Sequence, residues 1–134
     1  MTSVNLWIAV AAGGALGALL RTAAYRWIAV SALVARKGTG TRFGLARATL
    51  VVNLTGSFLL GILIAQLAHL AVDAPMRMFW ITGFCGSLTT FSTFCADAIE
   101  LVRVREHHSF LIYVLCNGLL SLVAFSAGLA LSNA

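Results

Sequence analysis

The chain has 134 residues, of which 60% are hydrophobic and 10% are charged, and its formal net charge is +5. About a quarter of the residues of a soluble domain are usually charged, so this composition excludes an ordinary soluble domain and indicates a lipid environment. The basic residues lie mostly between apolar segments, where membrane proteins carry topology signals, and they do not indicate nucleic-acid binding. The sequence therefore predicts an all-α integral membrane protein with a single membrane domain, residues 1–134.

Four apolar segments have the length of about 20 residues that a helix needs to span the hydrocarbon core. The predicted transmembrane helices cover about residues 6–35, 48–72, 78–98 and 109–132. Four spans place both termini on one side of the membrane. The terminal side carries one Lys or Arg, Arg77, and the opposite side carries six: Arg36, Lys37, Arg42, Arg47, Arg103 and Arg105. This bias favours a cytoplasmic position for the first and third connections.

The first helix contains a pair of small residues and an arginine on one face. Gly13 and Gly17 form a GxxxG pair, a spacing that lets two helix backbones approach closely. Arg21 follows Gly17 on the same face. An arginine within a span is costly unless it reaches an interface or lines water, so Arg21 either snorkels or faces an anion vestibule.

The second and fourth helices each carry a polar stripe. Asn53, Ser57 and Gly61 share one face of the second helix, and Thr49 extends that face by one turn. On the fourth helix, the residues at the same spacing are Tyr113, Asn117 and Ser121. A buried asparagine needs partners, since an unpaired amide in hydrocarbon costs several kcal/mol. Such stripes either join helices or line a polar track across the membrane.

The third segment is the most informative part of the chain. Residues 83–94 contain two glycines, three threonines and two serines in the middle of a minimal span. This composition is poor for an uninterrupted helix. It favours a broken third helix whose unwound backbone faces protein or an ion, and the alternative is a kinked helix packed on small residues.

These motifs resemble those of a known family. The residues that carry the resemblance are Gly13-Gly14-x-x-Gly17-x-x-x-Arg21, Asn53-Leu54-x-Gly56-Ser57-Phe58-x-x-Gly61 and Gly83-Phe84-Cys85-Gly86-x-x-Thr89-Thr90-Phe91-Ser92-Thr93-Phe94. In their order, and in the length of the chain, they are similar to the Fluc fluoride channels, also called CrcB proteins. The third motif is the most specific.

The resemblance implies a fluoride channel of the bacterial inner membrane, assembled as an antiparallel dual-topology homodimer. It implies a structural Na⁺ at the dimer interface, held by the backbone carbonyls of Gly86 and Thr89. Arg21 corresponds to the arginine near the aqueous vestibule. The fluoride pathway that the resemblance implies consists of Asn53, Phe91, Phe94, Tyr113, Asn117, Ser121 and Thr49.

The chemistry of these side chains agrees with that role. Fluoride is small and strongly hydrated, so a selective pathway replaces its water with hydroxyl and amide donors. The edge of an aromatic ring carries the positive end of the ring quadrupole, so phenylalanine can face an anion without offering an acceptor. Phe91 and Phe94, three residues apart, share a helical face.

One feature departs from the family pattern, because dual topology requires nearly balanced loop charges. The bias of six to one leaves two arrangements open, a homodimer and a pair with an oppositely biased paralogue.

Three other functions compete with a fluoride channel. A small four-helix multidrug-type exporter needs an embedded carboxylate, and the sequence shows none before Asp73 and predicts none deep in a span. A membrane enzyme needs a nucleophile and base, or a pair of titratable groups, and no such arrangement is apparent. The third alternative, an accessory subunit without transport activity, leaves the polar stripes unexplained.

Overall fold

The computed structural model describes residues 3–35, 41–70 and 72–133, and the regular elements among them are all helices. Helix α1 covers Ser3–Ala35 and α2 covers Thr41–His69. Helix α3 covers residues 74–88 and consists of Ala74–Arg77, a π-helical stretch Met78–Cys85, and Gly86–Leu88. Helix α4 is Phe91–Arg103. Helix α5 covers residues 107–133, as His107–Leu115, a π-helical stretch Cys116–Leu120, and Ser121–Asn133.

Three helices of the described part of the chain are long and apolar enough to cross a membrane. These spans are Ser3–Ile28, Ala46–His69 and His107–Ser132, with mean hydropathies of 1.7, 2.0 and 2.0. The third predicted span is divided between α3 and α4, each too short to cross alone. The prediction of an all-α membrane protein with a broken third helix is therefore confirmed.

The helix bounds differ from the predicted ones. Helix α2 begins at Thr41 instead of residue 48, and α3 begins at Ala74 instead of residue 78. Asp73 explains the earlier start of α3, because its side chain caps the helix by accepting a hydrogen bond of 3.1 Å from the Met76 amide. Residues 36–40 of the basic first connection lie outside the described residues.

The break in the third segment lies at Thr89 and Thr90. Thr89 has φ −78° and ψ 157°, and Thr90 has φ −145° and ψ 117°, so both are extended. The sequence predicted the interruption from Gly86 onward, but Gly86 is helical, with φ −62° and ψ −31°. The position of the break is explained by the two β-branched threonines, which favour extended backbone. Thr90 then caps α4 by accepting a hydrogen bond of 3.2 Å from the Thr93 amide.

Glycines allow the helices to pack in two close pairs, α1 with α3 and α2 with α5. A Cβ atom added to Gly17 would meet the carbonyl oxygen of Phe84, and one added to Gly128 would meet that of Phe58. These are backbone atoms that cannot move aside as a side chain can. The close packing predicted for the glycine pair of α1 is therefore present, and it fixes α3 against α1.

Two clusters of buried apolar residues lie between these pairs. One joins α2 to α3 through Val52, Phe84, Cys85 and Leu88. The other joins α2, α4 and α5 through Ala46, Ala98, Leu101 and Tyr113. Asn53 lies on α2 between Leu50, which packs against the second cluster, and Leu59, which packs against the first. This pathway residue therefore has apolar packing before and after it along the helix.

The glycine packing generates the first prediction. Gly17→Ala should lower the free energy of unfolding by about 1–3 kcal/mol, the usual cost of overpacking, because its methyl group would contact the α3 backbone. Gly14→Ala is a matched control on the same helix, since its nearest neighbour would be Ser87 Oγ at 3.4 Å. We expect it to be neutral or stabilising by up to about 1 kcal/mol through helix propensity. Unfolding in detergent measures both, and equal stability of the two variants would contradict the packing.

Candidate functional site

The side chain of Asn53 is paired with the backbone of the break. Asn53 Oδ1 accepts a hydrogen bond of 2.8 Å from the Thr90 amide, and Asn53 Nδ2 donates to the Thr90 carbonyl at 3.2 Å. Asn53 Nδ2 also donates to Asn117 Oδ1 at 2.9 Å. The backbone N–H and C=O of an extended residue lack the partners that a helix provides, and the Asn53 side chain supplies a partner for each. This side chain therefore connects α2 to the break and to α5.

A cavity of about 430 Å³ lies beside this pairing. It brings together five residues of the predicted fluoride pathway: Asn53, Phe91, Phe94, Asn117 and Ser121. The break contributes Thr89 and Thr90, and Ser57 contributes a hydroxyl from α2. None of the residues that line the cavity is charged. The ring centroids of Phe91 and Phe94 are 5.7 Å apart, with the ring planes inclined at 37°.

Asn117 holds a buried hydrogen-bond donor beside this site. Its side chain is 6% exposed, and its Oδ1 atom accepts the bond from Asn53. Its Nδ2 atom has no hydrogen-bond partner among the described residues. Leaving a buried donor unpaired costs about 1–3 kcal/mol, and no described residue of this chain offsets that cost at Asn117 Nδ2.

Two predicted pathway residues, Thr49 and Tyr113, do not line the cavity. Both donate to one carboxylate oxygen, Asp97 Oδ2, at 2.6 Å for Thr49 and 3.1 Å for Tyr113. Thr49 is completely buried, and Tyr113 stacks on Phe94 with ring centroids 5.5 Å apart. The place of Thr49 and Tyr113 in the fluoride pathway stays a prediction, and their hydroxyls are engaged outside this cavity. Each hydroxyl has one proton, and that proton is directed at Asp97 instead of into the cavity.

Asp97 is a carboxylate that lies beside two of the spans. It is half-buried on α4, and its two hydroxyl partners belong to the spans Ala46–His69 and His107–Ser132. The sequence does contain a signal for it. Asp97 follows the pathway residue Phe94 by three positions and precedes buried Leu101 by four, so the three share one face of α4.

Arg21 faces a second cavity, of about 270 Å³. Its Nη1 atom donates to the Thr89 carbonyl at 3.3 Å. The two alternatives for Arg21, snorkelling to an interface and facing an anion vestibule, both stay predictions. Sequence reasoning missed the other polar lining residues of this cavity, Arg26 and Thr93 among them. Thr90 lines both cavities, so the break forms the wall between them.

The carbonyls of Gly86 and Thr89 have different surroundings. In an uninterrupted helix the Gly86 carbonyl would accept from the Thr90 amide, but that amide donates to Asn53. A Cβ atom at Gly86 would meet nothing within 4 Å, so open space lies beside it. One lone pair of the Thr89 carbonyl faces Arg21. Among the described residues there is no group of three or more His, Cys, Asp or Glu side chains that could hold a metal.

Comparison with known proteins decides the family. Residues 8–129 match the family model described as CrcB-like protein, Camphor Resistance (CrcB). The chain belongs to the CrcB family. The chain is 42% identical over 132 residues to the fluoride-specific ion channel FluC of Rhizobium meliloti (strain 1021), a match that covers 98% of each chain. The protein of the same name from Saccharophagus degradans is 37% identical over 133 residues, covering 98% of this chain and 92% of its own.

A more distant relative agrees. The fluoride-specific ion channel FluC of Methanococcus aeolicus is 34% identical over 120 residues, which are 90% of this chain and 89% of its own. The predicted resemblance to this family is therefore confirmed. Family membership excludes the multidrug-type exporter and the membrane enzyme, because these CrcB relatives carry the name of an ion channel.

The Asp97 contacts generate the second prediction. Asp97→Ala removes the hydrogen bonds that Thr49 and Tyr113 donate to the carboxylate, so it should lower the free energy of unfolding by about 2–4 kcal/mol. Asp97→Asn is the control, because its amide oxygen can still accept from both hydroxyls, and it should cost about 1 kcal/mol or less. Unfolding of the purified protein in detergent measures both. An Asp97→Ala variant as stable as the Asn variant would show that the carboxylate does not hold α2 and α5 together.

Proposed function

We propose that this protein is a fluoride-selective channel through which fluoride leaves the cell passively, in the inner membrane of a bacterium. The observation that carries the proposal is an uncharged cavity between helices, lined by amide and hydroxyl side chains and by two phenylalanines. A small anion that accepts strong hydrogen bonds suits such a lining. The names of the relatives, fluoride-specific ion channel, support the same substrate.

The phenylalanines support an anion over a cation. Phe91 and Phe94 line the cavity beside the amide donor, and their ring edges are the positive part of the quadrupole. The cavity wall offers no carboxylate that would attract a cation. Hydrogen-bond donors and ring edges can together replace the water around fluoride. Because none of them carries a full positive charge, they do not hold the ion too tightly for it to leave.

The second cavity suits the approach of the anion. Arg21 and Arg26 line it, and clustered positive charge raises the local concentration of anions and their rate of association. Thr90 separates this cavity from the first one. The break therefore lies between a fluoride ion attracted by these arginines and the Asn117 side chain.

The third prediction tests conduction directly. Liposomes that contain the purified protein and a fluoride gradient should release fluoride, whereas the same liposomes with chloride should not. Phe94→Ile keeps most of the bulk but removes the ring quadrupole, so we expect fluoride release to slow by about tenfold, equivalent to about 1.4 kcal/mol. A fluoride-sensitive electrode measures the release. Equal release of fluoride and chloride by the wild-type protein would overturn the proposed function.

The proposed assembly is an antiparallel homodimer, and the fourth prediction concerns its orientation. Phe91 lines the cavity yet is 77% exposed in the single chain, which supports a second copy that encloses the site. Reporters fused to the C-terminus should give signal from both sides of the membrane. The charge bias of the connections keeps an oppositely biased paralogue as the other candidate. Signal from one side alone, in cells that lack such a paralogue, would contradict the homodimer and leave the pair with a paralogue as the assembly.

A structural Na⁺ between the two subunits is also proposed, and it gives the fifth prediction. The Gly86 carbonyl without its helical amide fits a hard cation, and the Thr89 carbonyl has a second lone pair besides the one that faces Arg21. When bound, the ion would join these carbonyls of two chains. Thermal stability in detergent should then rise with NaCl and not with choline chloride at equal ionic strength. The same melting temperature in both salts would remove Na⁺ from the proposal.

A further inference from the structure

The connection between α4 and α5 exposes apolar and basic side chains in alternation. Val102 and Val104 are 42% and 41% exposed, and Arg103 and Arg105, which alternate with them, are exposed as well. Apolar side chains suit the acyl boundary of a bilayer, and arginines beside them reach the headgroup layer with their charge. We propose that residues 102–105 form an interfacial site for the phosphate group of anionic lipids. The inference concerns the surrounding membrane and is independent of the ion that the protein conducts.

The depth of this segment in the membrane matches that of lipid phosphates. The α5 span begins at His107 and the α2 span at Ala46. Ala46 and Leu101 belong to one buried cluster, so the start of α2 and the end of α4 lie at the same end of the protein. On α1, which leads into α2 at this end, Trp27 is 73% exposed beside the end of the span, the usual place of interfacial tryptophan. Residues 102–105 therefore lie at the edge of the hydrocarbon layer.

The backbone of Arg105 gives independent evidence that a charge is kept at this position. Helix α4 ends in a Schellman motif, in which the Arg105 amide donates to the Val102 carbonyl at 3.0 Å and the Glu106 amide donates to the Leu101 carbonyl at 2.9 Å. Arg105 has a φ of 61°, in the left-handed region where glycine is the usual residue of this motif. Any other residue there is strained. The chain thus keeps an exposed arginine where glycine would fold with less strain.

The glutamates near this segment leave its arginines accessible to an anion. Arg103 Nη1 lies 4.0 Å from Glu100 Oε2, but the Arg103 side chain is still 75% exposed, and such surface ion pairs are weak. Glu106 accepts a hydrogen bond of 2.8 Å from Ser109 Oγ. Arg47, beside the start of the α2 span, adds an exposed positive charge at the same end of the protein.

An anionic lipid fits this segment better than a free phosphate ion does. A guanidinium group binds phosphate oxygens through two parallel hydrogen bonds, and either ion could accept them. Only a lipid also has acyl chains for the two exposed valines to contact. A zwitterionic lipid offers the acyl chains, but its own positive charge opposes the arginines. The site should therefore prefer an anionic lipid over both.

Arg105→Gly tests the proposal because it should change stability in opposite directions in two lipids. In detergent micelles with phosphatidylcholine, the variant should melt above the wild type, since glycine adopts the left-handed backbone without strain. When phosphatidylglycerol replaces part of the phosphatidylcholine, the wild type should gain more in melting temperature than the variant. Native mass spectrometry measures the lipids retained. The preference for phosphatidylglycerol should fall about fivefold in Arg105→Gly and in Arg103→Gln, the usual contribution of one arginine beside an anionic surface.

Arg77→Gln is the matched control. It removes one exposed arginine, as the test variants do, but from the opposite end of the protein, between α2 and α3. This variant should keep the wild-type preference for phosphatidylglycerol. Inorganic phosphate, added at the same concentration as the lipid, should leave the melting temperature of the wild type unchanged.

Four results would contradict the proposal. Equal retention of the two lipids by the wild type would leave the arginines as topology signals only. An equal loss of preference in Arg77→Gln would show that retention follows net charge and not this segment. If Arg105→Gly melts below the wild type in phosphatidylcholine, the arginine serves a contact within the protein. Stabilisation by inorganic phosphate as large as that by phosphatidylglycerol would assign the arginines to a free anion. Fluoride release enters none of these measurements, so the proposed function stands or falls separately.

Discussion

The pairing of the Asn53 side chain with the Thr90 peptide is the interaction on which the site depends. Backbone groups in a membrane must be satisfied within the protein, and each unpaired group costs several kcal/mol. The extended residues between α3 and α4 remove helical hydrogen bonds at that depth. One amide side chain replaces the N–H and the C=O partner of Thr90, and Arg21 supports the Thr89 carbonyl. The N–H and the C=O of the Thr90 peptide are therefore both satisfied by protein groups.

The separation of charge follows from this geometry. Positive charge lies on one side of the break, where Arg21 and Arg26 line the smaller cavity, and the larger cavity on the other side is uncharged. The Asp97 carboxylate accepts hydrogen bonds from Thr49 and Tyr113, between α2, α4 and α5. An anion is thus attracted toward the break and then meets neutral donors. Asp97 fastens the helices that carry those donors and does not itself line the larger cavity.

Phe94 connects these regions physically. It lines the larger cavity, packs beside Phe91, and stacks on Tyr113, whose hydroxyl reaches Asp97. A change at Asp97 could therefore alter the cavity through the position of one ring. The contribution of Asp97 to stability and the conduction of fluoride can be tested separately, because unfolding and fluoride release are measured independently.

The sequence by itself determined the class of protein, the spans and the faces. Long apolar runs require a bilayer, glycines four residues apart allow close packing, and polar residues at i, i+4 and i+8 must share a face. Only the tertiary structure decided which neighbour each polar group meets. Thr49 and Asn53 share a face of α2, yet one bonds Asp97 of α4 and the other the break and Asn117 of α5. Periodicity specifies a direction around one helix axis. The hydrogen-bond partner that a side chain meets depends on the depth and rotation of the neighbouring helix, and the packing of the whole chain sets both.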